Sequence, residues 1–339
     1  MVEALAGYGP RSAGDPEATR NTVNWLIEAL RSYGYEPWEE RVVVESGSQM
    51  HGMVTLPDGS RESRVLDELW VGYDPIWLAN VTAELARGGI QVESYRLIAA
   101  PEGATVEAPN VLAEKRGTRY PDRIVEIGAH YDTVPGSPGA DDNASAVAAV
   151  LEIARVLADI PCERTIRYCF FGFEEAGSPG VEHHVATIRA DTEREVEGIL
   201  NLDMVGYTDK RPGSQKAPIA APSTVSPPRT GDFALILGNL RSGTLSDLFA
   251  SALRAFGKGV PQHSTGRIES WLRDASGGDQ HVYWDAGLVG ILITDTGNFR
   301  NPHYHQGTDT ADTLDYEFLH GITRAAAATM IAWAGLAER

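Results

Sequence analysis

At 339 residues, 42% hydrophobic and 22% charged, the chain has the composition of a soluble globular protein and is long enough to bury a large core. Its formal net charge of −18 argues against nucleic acid and anionic membrane as partners, since both need basic surface. The only cysteines, Cys162 and Cys169, exclude a disulfide-dense scaffold and make neither a zinc-ribbon nor a redox spacing.

Taken in order, the chain opens with MVEALAGYGPRSAGDPE. This stretch lacks a basic region followed by an apolar one, so no signal peptide is visible. A cytoplasmic location is favoured, with a secreted mature chain as the alternative. Asp15-Pro16-Glu17 supplies an N-cap, a proline at the first helical position and an early acid. Trp25, Leu26, Ala29 and Leu30 give that helix an apolar face, and Gly34 ends it. Residues 41–45 read as a β-branched strand. From 46 to 108 the pattern is weak: strand-like pieces at 53–56 and 90–99 alternate with turn residues, and Trp70 and Trp77 need a place to pack. The reading there is extra strands or a small insertion.

Regular order returns with strands at 110–115 and 123–128, the second running on to His130. The helix at 144–157 is apolar on nearly every face and should be buried against a sheet. Strands follow at 165–173, leading to Glu174-Glu175, and at 199–202, leading to Asp203. Cys169 lies within the first of these and reads as a buried free thiol. Residues 210–230 form a long Pro/Ser/Ala-rich loop, which inside a compact domain is functional or mobile. A helix at 245–256, a strand at 289–294 and a helix at 316–336 complete the chain. No apolar run reaches 18 residues, so no membrane span is expected. The fold class is α/β, a mixed and largely parallel sheet flanked by helices on both faces, in a single domain over 1–339.

The chemistry is expected at one edge of that sheet, outside the carboxyl ends of the strands. His130, Asp132, Asp142, Glu174, Glu175, Asp203 and His305 each sit at or just past a strand end or in a Gly/Pro-rich loop. Any one alone could be a loop acid or a cap, and Asp142 would make an ordinary N-cap for the helix after it. As a set they are metal-ligand types. His183 and His184 are adjacent on a predicted helix, about 100° apart, so they cannot share an ion and are expected at the surface. His51, His263, His281 and His320 have no ligand partners at useful spacing.

The segments HYDTVPGSPGADDNASA, FFGFEEAGSPG, NLDMVGY and NPHYHQGTDTADTLDYEFL together resemble the metal-binding segments of the M28 family of zinc aminopeptidases, in order and at plausible spacing. LAGYGPRSAGDPEATRNTVNWLIEAL is a weaker echo. The resemblance implies two Zn²⁺ ions, with Co²⁺ or Mn²⁺ as substitutes. His130 and Asp203 would hold one, Glu175 and His305 the other, and Asp142 would bridge them. Asp141 matches a position that is not a ligand. Asp132 would orient His130, Glu174 would be the general base toward a metal-bridging water, and Tyr304 resembles a tyrosine that helps hold the oxyanion. Neighbours on an extended strand end point opposite ways, which would let Glu175 ligate while Glu174 faces substrate. His303 competes with His305, since two residues apart in an extended segment both face one side; the YHxxxDT-like context favours His305. Gly277-Gly278-Asp279-Gln280 occupies the place of the family's SD(H/Q) segment, with Asp279 given no role.

The implied function is removal of N-terminal residues from peptides with a free N-terminus, without nucleic acid or membrane partners. Alternatives on the same scaffold are a glutaminyl cyclase or a carboxypeptidase, the latter needing cations such as Arg211, Arg229 or Arg267 near the metals. A catalytically silent binding protein is the alternative from another class.

Overall fold

The computed structural model describes residues 1–12, 15–67, 77–216, 227–265 and 278–337. In chain order the elements are α1 (Val2–Ala6), α2 (Pro16–Ser32), β1 (Trp38–Glu40), β2 (Val43–Glu45), β3 (Ser48–Thr55), β4 (Arg61–Asp67), α3 (Trp77–Arg87), β5 (Gln91–Ala99), β6 (Thr105–Glu107), β7 (Asn110–Lys115) and β8 (Tyr120–His130). Then come α4 (Ala146–Leu157), β9 (Arg164–Phe171), α5 (Pro179–Ala190), β10 (Glu195–Leu202), β11 (Ala234–Gly238), α6 (Gly243–Phe256), β12 (Gln262–Thr265), α7 (Gln280–Asp285), β13 (Val289–Thr294) and α8 (Tyr316–Ala334).

The main sheet runs β1-β7-β9-β8-β10-β13-β11-β12. Its centre, β9-β8-β10-β13, is parallel, and antiparallel pairs β7/β9 and β11/β13 flank it. Alternation along β9 shows why both faces are covered. Ile166, Tyr168 and Phe170 join a core built with α2, α4, α6 and α8. Cys169 and Phe171 point the other way, onto Val181 and Val185 of α5 and Tyr283 of α7. Both cysteines are free and buried. Among the described residues no helix is long and apolar enough to cross a membrane.

Helix α2 begins as expected: the Asp15 carboxylate accepts the N–H groups of Glu17 and Ala18, each at 3.0 Å. The strand expected at 41–45 is present as β2, at Val43–Glu45, and a second short strand, β1, precedes it at Trp38–Glu40. β1 joins the main sheet and β2 pairs with β6, so the chain between them changes partners. Within 46–108, β4, β3 and β5 form a separate antiparallel sheet. Met50 of β3 and Val81 of α3 are buried together, with Leu66 and Leu85 packed against them. Trp70 lies outside the described residues.

Candidate metal centre

The parallel strands deliver the site at their carboxyl ends. β8 ends in His130, β10 is followed at once by Asp203, the chain beyond β9 reaches Glu174 and Glu175, and the chain beyond β13 carries round to His305. Asp142 lies in a π turn, Ala140–Ser145, that leads into α4.

These side chains meet. His130 Nε2 lies 3.3 Å from Asp142 Oδ1, 3.5 Å from Asp203 Oδ1 and 3.9 Å from Glu174 Oε2. His305 Nε2 lies 3.3 Å from Asp142 Oδ2 and 3.3 Å from Glu175 Oε2. The two oxygens of Asp142 thus face two different histidines. Donor sets His130/Asp142/Asp203 and Asp142/Glu175/His305 share that one carboxylate. The separations of 3.3–3.5 Å exceed ordinary hydrogen bonds. They match the edge of about 3.3 Å between two ligands that each sit about 2.0–2.1 Å from one tetrahedral zinc. Glu175 Oε1 is buried without a hydrogen-bond partner, a cost that a cation would relieve. The donors therefore fit divalent metal.

Asp132 organises two segments at once. Its carboxylate accepts the N–H groups of Glu174 at 3.1 Å and Glu175 at 3.2 Å, and stands 3.5 Å from His130 Nδ1. The Asp132 carbonyl is 3.2 Å from the same nitrogen, which leaves Nε2 to face the site. The expectation that Glu174 and Glu175 diverge along an extended strand end needs correction. β9 stops at Phe171, Phe173 takes φ 64°, and the glutamates lie on a tight turn. A strand would spend those N–H groups on a ladder; here Asp132 takes them.

The chain around His303 and His305 is likewise turned, with φ 59° at His305, so the two rings do not share a face. His305 enters the site. His303 does not: its Nδ1 faces Thr308 Oγ1 at 2.9 Å and its ring packs edge-on against Tyr207. The Tyr304 ring stacks on His305, centroids 3.7 Å apart. From outside the main sheet, Arg87 of α3 comes against Gly307, where a Cβ would lie 3.2 Å from Arg87 Nη2.

Packed carboxylates and burial set the electrostatics. Burial lowers the His130 imidazole, but the Glu174 charge and the Asp132, Asp142 and Asp203 contacts raise it well above its ordinary value. His305 is likewise opposed by burial yet raised to about 11, chiefly by Glu175 and Asp142. Burial pushes the Glu174 carboxyl well up, against the pull of His130 and with Glu175, Asp203 and Asp279 adding to the push. Protons and metal cations would compete for the same donors.

A layer of buried acids behind the ligands was not read from the sequence. Asp309 accepts the N–H groups of Asp141 and Asp142 at 3.0 and 3.1 Å. Asp141 takes Gly206 N–H at 2.9 Å and Asn301 Nδ2 at 2.7 Å. Asp295 accepts the N–H of Tyr207 at 2.7 Å. Asp279 is fully buried, and its carboxyl is pushed up to about 7 by burial first, against His130 and with Asp203 and Asp132. Among the described residues two buried cations face this layer: Arg11, acted on by the Asp309, Asp132 and Asp142 charges, and Arg300, acted on by those of Asp295 and Asp141. The one available signal was position: Asp309 falls inside the same Tyr304-to-Thr310 stretch that singled out His305.

His184 corrects another expectation. It is not at the surface but fully buried, with Nδ1 3.0 Å from Glu40 and Nε2 3.2 Å from Glu126. Glu126 also takes Arg167 Nη1 at 2.7 Å and the Tyr283 hydroxyl at 2.6 Å. His183, one residue along, remains exposed.

Of the loop at 210–230, residues 217–226 lie outside the described residues. Its base is closed by paired hydrogen bonds between Asp209 and Gly231. Gln215 Oε1 accepts from Arg300 Nε at 2.9 Å, and Lys216 N–H reaches the Phe299 carbonyl at 2.9 Å. These contacts set Gln215 and Lys216 against the segment leading to His305. Arg211 is tied to Asp209, Arg229 is exposed, and Gly277 and Arg267 lie outside the described residues.

Comparison with known proteins adds to this geometry. The profile of peptidase family M28 matches residues 110–330. The uncharacterized protein YfbL of Escherichia coli (strain K12) is 35% identical over 211 residues, 57% of this chain and 62% of that protein. Aminopeptidase YwaD of Bacillus subtilis (strain 168) is 38% identical over 128 residues, 35% of this chain and 28% of that one. The chain thus spans less than two thirds of the curated relatives it matches. Among solved structures, BSAP, a zinc aminopeptidase from Bacillus subtilis, superposes with TM-score 0.67 at 18% identity, covering 100% of this chain and 95% of that one. A Fimbriiglobus ruber glutaminyl cyclase superposes with TM-score 0.61 at 15% identity over 97% and 91% of the two chains. At such identity these likenesses establish the fold and do not discriminate between activities.

Proposed function

Since the chain belongs to peptidase family M28, we propose that it is a zinc-dependent aminopeptidase with a two-metal site. The observation that carries this reading is Asp142, whose two oxygens lie 3.3 Å from His130 and 3.3 Å from His305. In this reading His130 and Asp203 hold one zinc, Glu175 and His305 hold the other, and Asp142 serves both. Bound there, the ions would supply Lewis acidity and make water acidic enough to deprotonate near neutral pH.

The chain's own residues do the rest. Glu174, which also lies within ligand distance of His130 and Glu175 but stands 3.9 Å from His130 Nε2, farther than Asp142 and Asp203, takes the proton of the attacking water and passes it to the leaving amine nitrogen. Asp132 holds the His130 ring and the turn bearing Glu174 in one arrangement. Tyr304, fixed by stacking on His305, offers its hydroxyl to the carbonyl oxygen as it becomes negative. The surplus of carboxylates favours a substrate with a protonated free N-terminus. The loop at 210–230, whose residues Gln215 and Lys216 contact Thr296, Phe299 and Arg300, tunes which substrates enter.

Metal analysis combined with a panel of aminoacyl chromogenic substrates and N-blocked controls tests the reading. About two zinc ions per chain and turnover confined to unblocked substrates are expected. Turnover of blocked substrates would overturn the aminopeptidase assignment, and a single ion at saturation would overturn the two-metal one.

A further inference from the structure

The geometry points to Arg11 as a positioning residue for the metal donors: it sets the spacing between His130 and Asp142 by clamping the chain that joins them. This rests on the metal reading above, not on the peptidase reaction.

Arg11 is fully buried. Its Nε donates to the Tyr131 carbonyl at 2.8 Å, Nη1 to the Pro138 carbonyl at 2.6 Å and Nη2 to the Gly139 carbonyl at 2.9 Å. Its own N–H donates to Thr133 Oγ1 at 2.9 Å. Tyr131 directly follows His130, and Gly139 stands three residues before Asp142, so one planar fork grips both ends of the intervening chain. The guanidinium can do this because its donors have a fixed relative geometry; an ammonium is a point charge that cannot span both ends.

The fit is tight at the Asp142 end. Gly139 has φ 61°, and a Cβ there would lie 2.3 Å from Thr133 Cγ2, 2.4 Å from the Asp142 carbonyl oxygen and 2.8 Å from Arg11 Nη2. Asp309 grips the same turn from its other side through the N–H groups of Asp141 and Asp142. Asp142 is therefore held between a donor fork and an acceptor. A cation buried so completely is costly unless satisfied by hydrogen bonds and opposite charge. Arg11 has both, with the charges of Asp309, Asp132, Asp142 and Glu175 all acting on it. Plain packing would not call for a cation here; holding two donor-bearing segments in register does.

The test measures zinc affinity by chelator competition, and the visible spectrum of the cobalt-loaded protein, in the full chain and in Arg11→Lys and Arg11→Gly. Outer partners of metal ligands are typically worth about 10–100-fold in affinity, and a loss of that size is expected in Arg11→Gly, with an altered cobalt spectrum. Arg11→Lys should recover only part of it. Millimolar guanidinium should restore zinc affinity to Arg11→Gly while equal sodium chloride does not. Wild-type affinity and spectrum in either variant would overturn the inference, even if the melting temperature fell. Should Arg11→Gly not fold, Arg11→Lys decides by the same measurements. Absence of zinc binding in the unaltered chain would instead refute the metal reading, before any variant is made.

Discussion

The carboxylate of Asp132 accepts the backbone N–H of Glu174 at 3.1 Å. Its other oxygen takes Glu175 N–H, so the turn that carries Glu174 and Glu175 is held by the same group that backs His130. Asp132→Asn keeps one acceptor oxygen and turns an amide NH₂ toward the second N–H. Outer-sphere changes of this kind cost about 10–100-fold, and kcat should fall by that much with substrate KM little altered. Steady-state kinetics on the variant check it; unchanged kcat would show that the turn holds without Asp132.

The two histidines of residues 303–305 give a second prediction. His305 is in contact with Asp142 and Glu175, while His303 is spent on Thr308 and Tyr207. His305→Ala should drop metal content from about two ions per chain toward one, because only one of the two donor sets loses a member. His303→Ala should keep both. Elemental analysis after dialysis reads the difference, and equal contents in the two variants would contradict the allocation.

The buried pair Glu126 and His184 sets a pH dependence. The Glu126 carboxyl, raised by burial but lowered more by His184, Arg167 and Tyr283, falls from 4.5 to about 2. A depressed acid contributes stability above its unfolded value, and that contribution is lost as pH falls toward the folded value. His184 is opposed by burial but raised well above 6.5, first by Glu126. Its contribution is complete below pH 6.5 and lost only as pH rises through the folded value. The pair is therefore at full strength between about pH 4.5 and 6.5. Glu126→Gln breaks a buried pair and should cost about 3–5 kcal/mol at pH 6. The gap to wild type should narrow between pH 4.5 and 2, where wild type loses the same charge. Denaturant melts across that range measure it, and a gap constant in pH would mean that Glu126 does not act through its charge.

What the sequence disclosed and withheld follows the range of the interactions. β7 and β13 were legible to the residue, because short apolar runs bounded by turn signals are local patterns. His130 and Asp203 stood out as candidate donors because they finish β8 and β10, runs of the same kind. β11, the five-residue ALILG strand, was passed over because it lies between irregular stretches and shows no alternation. His184 was misjudged because its partners Glu40 and Glu126 are 144 and 58 positions away. One face of α5 had to be buried, but nothing local says that a buried histidine would find carboxylates there. The roles of Arg11 and Asp309 were hidden for the same reason, since they grip residues 120 and 167 positions distant. The turn at Glu174 was missed because the run before it reads as strand through Phe173, and only Asp132, 42 positions earlier, diverts it.

That turn leaves the roles of Glu174 and Glu175 to be separated by experiment, since strand alternation cannot assign them. Glu175 Oε2 lies 3.3 Å from His305 Nε2, within a set of three donors shared with Asp142. Glu174 Oε2 stands farther off, 3.9 Å from His130 Nε2. Removing a base stops proton transfer without disturbing metal, so Glu174→Gln should retain both ions while turnover falls by about 10²–10⁴-fold or more. Glu175→Gln should weaken one metal site, and excess zinc should return part of the activity. Metal content and turnover measured on both variants, with and without added zinc, distinguish the assignments. Metal loss in Glu174→Gln with full occupancy in Glu175→Gln would exchange the two roles. Normal turnover in Glu174→Gln would remove the proposed base altogether, because the other carboxylate near His130 outside both sets, Asp132, faces the Nδ1 side of the ring and is spent on the N–H groups of Glu174 and Glu175.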